Sequence, residues 1–180
     1  DNRLFVEAVL YRYRAGITWR DLPVRFGDWK NVHRRLRRWC ESGVIERIFR
    51  HLAADRDNEY MMIDSTIVRA HQHSAGTLTT KIHAIVDAAG KAGALALILG
   101  QRADIAEADT LLDEVDPEAF IADKAYDADP LIEKLEERQI TPVIPSRRNR
   151  RHPRKIRFSL YKKRNEIERL FARLRQFRGI

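Results

Sequence analysis

Apolar residues recur at helical spacing up to about residue 55 and in shorter, strand-like runs after about residue 59. In the first part, this pattern predicts helices at 2–15, 28–43 and 44–54, and a short helix that the capping box Thr18–Asp21 opens. The pattern of the second part predicts, in order, strands within 60–68, 78–93 and 94–100, a helix at 105–115, a strand at 119–127, a helix at 129–139, a strand at 141–146 and a helix at 161–177. The change of period predicts two domains, 1–55 and 56–180.

The second part begins with three strands and then alternates helices with strands. Such an order implies a mixed sheet with helices on its faces, and it resembles the order of the ribonuclease H-like fold. The first part has three or four short helices, of which 28–43 is rich in arginine, and resembles a helix-turn-helix module. The predicted fold class is therefore α/β, a helical module followed by a ribonuclease H-like mixed-sheet domain.

Charge is segregated along the chain, although the net charge is only +8. Residues 1–50 hold 12 Lys/Arg and 6 Asp/Glu, residues 51–145 hold 8 and 18, and residues 146–180 hold 14 and 2. Basic ends are typical of a protein that binds nucleic acid, unless they are merely two solvated surfaces. No apolar run is long enough to span a membrane. The one cysteine, Cys40, excludes an internal disulfide and fits a reducing cytosol.

Two aspartates lie in predicted strands. Asp64 interrupts the apolar run of the first strand, and Asp123 lies where "FIAD" ends. A lone buried carboxylate is costly, and two that lie close together repel each other unless a divalent cation neutralises them. Carboxylate oxygens suit Mg²⁺ or Mn²⁺ better than zinc. The sequence therefore predicts a metal site on the sheet, with a third ligand from a helix packed against it.

The last predicted helix offers Glu166 and Glu168 as that third ligand. At about 100° per residue, Glu168 shares a stripe with Tyr161, Arg164 and Arg175 beside the apolar face of the helix. Glu166 falls on the opposite border of that face. By itself, the stripe would indicate only an exposed ion pair between Arg164 and Glu168, four residues apart.

The spacing of Tyr161, Arg164, Glu168 and Arg175 resembles the tyrosine–arginine–glutamate–lysine signature of bacterial insertion-sequence transposases of the DDE type, with arginine in place of the lysine. The segments "IDSTIVRAHQH", "TTKIHAIVD", "ADKAYD" and "VIPSRRNR" are similar to the "insertion sequence 5" group of that class. "WRDLP", "FGDW" and "RRWCESG" are similar to the N-terminal region of the same group. The resemblance covers nearly the whole chain.

The sequence departs from that family in two places. Only "SAGTL" stands between "HQH" and "TTKIHA", where the family carries a longer segment rich in glycine and arginine. The family also continues beyond the final "QFRGI". We therefore expect the chain to be a fragment with a truncated C-terminus.

The resemblance implies that Asp64, Asp123 and Glu168 are the catalytic carboxylates and hold two Mg²⁺ or Mn²⁺ ions. It implies a transposase that cuts double-stranded DNA at terminal inverted repeats and joins the 3′-hydroxyl to target DNA. We expect a homodimer or larger assembly on DNA, in the bacterial cytoplasm at the nucleoid. The residues expected to bind DNA are Tyr161, Arg164, Arg175, Lys124, Arg147, Arg148, Arg150, Arg151, Lys30, Arg34, Arg35 and Arg38.

Three other functions remain open. A DNA-binding regulator would explain the basic ends, but it gives no reason for Asp64 and Asp123 in strands. A ribonuclease H-like hydrolase would cut nucleic acid without strand transfer. An inactive transposase remnant would fit the short junction at 74–78.

Overall fold

The computed structural model describes residues 1–69, 79–99 and 104–179, which form two compact units. Residues 1–54 together with 172–179 are the helical unit, and residues 55–171 are the sheet unit. The short junction at 74–78 lies outside the described residues.

The helical unit contains α1 (Asn2–Ala15), α2 (Trp29–Glu41) and α3 (Val44–Ala53), close to the predicted bounds. The side chains of Asp1 and Asp28 cap α1 and α2, because each accepts a hydrogen bond from a backbone N–H of the first turn. The three tryptophans, Trp19, Trp29 and Trp39, pack against the core of this unit. That core consists of Phe5, Ala8, Leu22, Phe26 and Val32.

The prediction of a short α-helix that begins at Thr18 is wrong. The chain forms a 3₁₀ turn at Trp19–Asp21 instead. The hydroxyl of Thr18 donates to the carboxylate of Asp21 at 2.8 Å, and the Thr18 side chain makes no capping hydrogen bond to the backbone. Pro23 follows two residues after the turn, so there is no room for a longer helix.

Five strands among the described residues form one mixed sheet in the order β3-β2-β1-β4-β5. Neighbours β1, β2 and β3 are antiparallel, whereas β1, β4 and β5 are parallel. This mixed order confirms the predicted ribonuclease H-like arrangement. The strands are β1 (Met61–Arg69), β2 (Thr79–Asp87), β3 (Ala92–Leu99), β4 (Ala119–Ile121) and β5 (Thr141–Val143).

One face of the sheet packs against α4 (Asp104–Leu112) and α5 (Asp129–Glu137). Met61 and Ile63 of β1 belong to this core together with residues of both helices. Since side chains alternate along a strand, Asp64 points to the opposite face. Among the described residues, no helix combines the length and the apolar character needed to cross a membrane.

The prediction of one continuous helix at 161–177 is wrong. The chain forms α6 (Phe158–Tyr161), a 3₁₀ turn at Lys162–Arg164 and then α7 (Asn165–Leu174). A 3₁₀ turn takes about three residues instead of 3.6, so Tyr161 and Arg164, three residues apart, lie on the same side of the segment. Residues 172–179 pack with the helical unit, where the backbone N–H of Gly179 donates to the carbonyl of Tyr13 at 2.8 Å.

Replacing Gly16 by alanine is expected to destabilise the protein more than replacing Gly43. Both glycines have left-handed backbones, with φ of 67° and 69°, so alanine is strained at both positions. A Cβ on Gly16 would lie 2.6 Å from the Cβ of Arg178, whereas at Gly43 the nearest atom is the tip of Arg47 at 3.7 Å. We expect Gly43→Ala to lower the free energy of unfolding by about 1–2 kcal/mol and Gly16→Ala by about 1–3 kcal/mol more, measured by urea denaturation. Equal losses would contradict the packing of the C-terminal segment against α1.

Candidate active site

Parallel pairing of β1 with β4 brings two aspartates together. The register pairs Met62 with Ile121. β4 ends at Ile121, but the backbone of Asp123 is still extended at φ −78° and ψ 174°. Extending the register by two residues places Asp64 opposite Asp123, and because adjacent strands lie about 4.8 Å apart, we expect the two aspartates to be neighbours where β1 passes the end of β4.

Both aspartates point away from the core that α4 and α5 cover. Ile63 and Ala122 belong to that core. Asp64 and Asp123 directly follow them and so lie on the other face of the sheet. Asp64 and Asp123 therefore lie on the same face of the sheet, as two ligands of one metal ion must.

Arg164 is the charge partner of Asp64. Its Nη2 lies 2.7 Å from Oδ2 of Asp64, and the two side chains are only 22% and 19% exposed. The other oxygen of Asp64 accepts the backbone N–H of Ser65 at 2.8 Å. Burial lowers the pKa of Arg164, but the charge and the hydrogen bond of Asp64 outweigh burial and raise that pKa above its ordinary value. An arginine thus offsets the burial of Asp64.

The same arginine holds Glu168. Nη1 of Arg164 lies 3.2 Å from Oε1 of Glu168, whose side chain is 55% exposed. Glu166, the other carboxylate of this region, pairs with Arg169 at 2.6 Å. The ion pair between Arg164 and Glu168 is therefore present, and the guanidinium of Arg164 also contacts Asp64 in the central strand β1.

The turn after β4 is held by Asp123. Its Oδ1 accepts the backbone N–H of Ala125 at 2.7 Å, which caps a 3₁₀ turn at Lys124–Tyr126. The side chain of Tyr126 is buried, whereas that of Lys124 is exposed. Lys124 therefore lies next to the carboxylate pair with its ammonium group in solvent.

Asp127, four residues beyond Asp123, is a buried carboxylate that sequence analysis missed. Its side chain is 1% exposed, and it accepts the backbone N–H of Arg147 at 2.7 Å, Nε of Arg150 at 3.1 Å and the guanidinium of Arg154. Burial raises the pKa of Asp127. The hydrogen bonds from Arg150, from the backbone of Arg147 and from Arg154 outweigh burial and lower the pKa to about 2. The sequence signal for Asp127 is indirect. Residues 51–145 hold 18 Asp/Glu and only 8 Lys/Arg, so an aspartate that is buried there needs a basic partner from elsewhere in the chain.

Two of the four loop arginines predicted to bind DNA have partners within the sheet unit. The guanidinium of Arg147 donates to the carbonyls of Lys124 at 3.2 Å and Ala125 at 2.7 Å, and Arg150 pairs with Asp127 and also with the carboxylate of Asp129. The other two loop arginines, Arg148 and Arg151, are exposed.

In the helical unit, Arg35 lies against aromatic rings. Its guanidinium is 4.4 Å from the ring centre of Phe5 and 5.1 Å from that of Trp39. The other residues of α2 that were predicted to bind DNA are exposed: Lys30, Arg34 and Arg38.

The two outer members of the four-residue signature lie in different units. Tyr161, the last residue of α6, is half-buried in the sheet unit. Arg175 follows the end of α7 and is an exposed residue of the helical unit.

The predicted carboxylates fit a divalent cation in chemistry. All three supply the oxygen ligands that Mg²⁺ and Mn²⁺ prefer, and the extended register places Asp64 and Asp123 on one face. Within residues 1–69, 79–99 and 104–179, no three His, Cys, Asp or Glu side chains lie close enough to form a ready metal site. Glu168 is connected to Asp64 through Arg164.

Two family models match the chain. Residues 56–180 match the family described as "Transposase DDE domain", and residues 1–49 match one described as "Putative transposase of IS4/5 family". The boundary between the two matches falls near the boundary between the two units.

Curated relatives and solved structures are also similar. Over 105 residues the chain is 35% identical to the "Putative transposase for insertion sequence element IS6501" of Brucella ovis, covering 57% of this chain and 81% of that protein. Over 81 residues it is 53% identical to the uncharacterized protein y4sN of Sinorhizobium fredii, covering 45% of this chain and 65% of that protein. The piggyBac transposase, solved as a synaptic complex with hairpin DNA, matches at a TM-score of 0.48 and 18% identity, over 83% of this chain and 41% of that one. The chain thus spans less than two thirds of the length of y4sN and of the piggyBac transposase.

Replacing Arg164 by glutamine is expected to destabilise the protein by about 1–3 kcal/mol, because Asp64 then loses its charged hydrogen-bond partner in a largely buried position. Arg169→Gln, on the same helical segment, removes only the exposed pair with Glu166 and should cost less than about 1 kcal/mol. Urea denaturation of both variants and the wild type measures the difference. Similar losses in the two variants would contradict a stabilising role of the Arg164 bridge.

Proposed function

The chain belongs to the transposase DDE domain family, and we propose that it cuts DNA at transposon ends and joins the freed 3′-hydroxyl to target DNA. The bridge from Asp64 through Arg164 to Glu168, on the face of the sheet where the extended register also places Asp123, is the observation that carries this proposal. Packed apolar residues would often stabilise a fold as well as buried charges do. A chemical role therefore explains the pair better than stability does.

We propose that Asp64, Asp123 and Glu168 would hold two Mg²⁺ or Mn²⁺ ions. When bound, such ions stabilise the attacking and leaving oxygens of a phosphodiester and lower the pKa of water. The protein's part is to hold the carboxylates on one face of a rigid sheet, where the backbone hydrogen bonds of Asp64 and Asp123 restrict their rotation.

Arg164 has two tasks in this proposal. Its guanidinium contacts Asp64 and Glu168, so a cation at these carboxylates competes with it. Once displaced, the guanidinium is beside the site and is able to bind a DNA phosphate, for which its planar donors are well suited. The family signature supports the same phosphate-binding role for Tyr161 and Arg175.

Exposed cations near the carboxylates are proposed to bind the DNA backbone. Lys124 is adjacent to Asp123, and Arg148 and Arg151 lie in the loop that Arg147 ties to the same turn. Arg147 and Arg150 have internal partners, so we propose that they support this surface rather than contact DNA.

In the helical unit, we propose that α2 binds the terminal inverted repeat through the exposed Lys30, Arg34 and Arg38. Arg35 is held against Phe5 and Trp39, which suggests a structural role for it. A homodimer or larger assembly on DNA, in the bacterial cytoplasm at the nucleoid, completes the proposal, since two transposon ends must be held together.

One observation favours a second candidate, a DNA-binding transposase remnant without catalysis. Asp64 is paired with an arginine, and no three-carboxylate cluster is assembled among the described residues. In that case the Arg164 bridge would be a permanent structural feature. Metal binding decides between the two functions.

Asp64→Asn, Asp123→Asn and Glu168→Gln are each expected to abolish DNA cleavage and joining and to weaken Mn²⁺ binding more than about tenfold, while DNA binding persists. Mn²⁺ affinity is measured by electron paramagnetic resonance, and activity is measured on duplexes that carry the genomic flanks of the reading frame. Asp129→Asn, which removes an exposed aspartate, is the control and should behave like the wild type.

The products of the wild-type reaction separate the candidate functions. Joined DNA means transposition, and cut fragments alone mean hydrolysis. DNA binding without Mn²⁺ binding or cleavage would overturn the proposal in favour of a regulator or a remnant.

Arg148→Ala and Arg151→Ala are each expected to lower the slope of log affinity for DNA against log salt concentration by about 0.9, because each removes one phosphate contact. Arg3→Ala removes an exposed arginine of α1 that pairs with Glu7 and should leave the slope unchanged. Fluorescence anisotropy over a range of salt concentrations measures the slopes. An unchanged slope in both loop variants would contradict the assignment of this loop to DNA.

A further inference from the structure

The buried carboxylate of Asp127 has two arginine partners within the sheet unit. Two guanidinium groups and one backbone N–H converge on its carboxylate, which is 1% exposed, while Arg150 and Arg154 are 21% and 22% exposed. Burying three charged groups together adds little net stability compared with apolar packing. What such a cluster does supply is a defined geometry, because each hydrogen bond fixes a direction as well as a distance.

The cluster ties two segments together at the end of β4. Arg147, Arg150 and Arg154 belong to the loop that follows β5, whereas Asp127 closes the turn that Asp123 opens. The guanidinium of Arg147 adds two hydrogen bonds to carbonyls within that same turn. The backbone N–H of Arg154 donates to Ser146 Oγ at 2.9 Å, which folds the loop back on itself.

The position of Asp123 depends on this turn. β4 ends at Ile121, and the backbone N–H of Ala122 reaches the carbonyl of Val143 only at 3.4 Å. The carboxylate of Asp123 is then directed by its hydrogen bond to Ala125, a residue of the turn that the loop holds. A shift of the turn would therefore move the carboxylate away from Asp64.

We propose that Asp127, Arg150 and Arg154 are positioning residues that fix the turn after β4 and so hold the Asp123 carboxylate beside Asp64 for divalent-cation binding. The inference rests on the proposed function. It assigns the cluster no contact with DNA or with the cation. The basic loop thereby has two kinds of arginine, those that organise the site and those that face solvent.

The test compares Asp127→Asn with Asp129→Asn in the full chain. Both variants remove one negative charge that pairs with Arg150, but only Asp127 is buried and joined to the turn. Mn²⁺ affinity by electron paramagnetic resonance should fall about tenfold or more for Asp127→Asn, as for other residues that orient metal ligands, and change less than about twofold for Asp129→Asn. The cleavage rate of Asp127→Asn should recover at high Mn²⁺ concentration, with DNA affinity unchanged.

Arg154 provides a second pair of variants if Asp127→Asn does not fold. Arg154→Lys keeps the charge and should retain most of the Mn²⁺ affinity, whereas Arg154→Gln should lose it. Equal Mn²⁺ affinity in Arg154→Gln, in Asp127→Asn and in a wild type that does bind Mn²⁺ would overturn the positioning role alone. A wild type that binds Mn²⁺ no better than Asp64→Asn would overturn the proposed function, and this inference with it.

Discussion

The ion pair between Asp64 and Arg164 connects the central strand of the sheet to the segment that leads into the last helix. Asp64 lies in β1, between β2 and β4, where an unpaired carboxylate would be strongly destabilising. Arg164 neutralises it and at the same time holds Glu168. One guanidinium thus links two of the three carboxylates expected to do chemistry and brings α7 to the face of the sheet on which Asp123 lies.

The sequence was sufficient to place Asp64 in a strand and Asp123 at the end of one, because these positions follow from local alternation. An aspartate inside an apolar run predicts a buried carboxylate wherever the strand pairs, and "FIAD" predicts a second one at a strand end. The family signature added Glu168, which periodicity alone would have left as a surface ion pair. The order of the elements predicted a mixed sheet, but the parallel pairing of β1 with β4 comes from the structure.

The ion-pair partners could not be predicted in the same way. Arg164 and Asp64 are 100 residues apart, and no local pattern indicates that this arginine turns toward the sheet. In the loop at 146–155 the basic residues look equivalent in sequence. In the structure, however, Arg150 is partly buried and Arg147, although exposed, hydrogen-bonds to the turn after β4, whereas Arg148 and Arg151 are exposed. The 3₁₀ turn at Lys162–Arg164 was missed because the basic residues there carry no apolar period.

Asp127 and Asp64, two aspartates of the sheet unit, differ in how firmly their charge is held. Asp127 is 1% exposed and is bonded by two arginines and a backbone N–H, so no oxygen is left for another ligand. Asp64 is 19% exposed and has one arginine, which is itself shared with the half-exposed Glu168. Exchange of a partner is cheaper where fewer hydrogen bonds must be broken and water has access. In the proposed function, Asp127 therefore belongs to a fixed cluster, whereas Asp64 and Arg164 form the exchangeable pair at which a cation would replace the arginine.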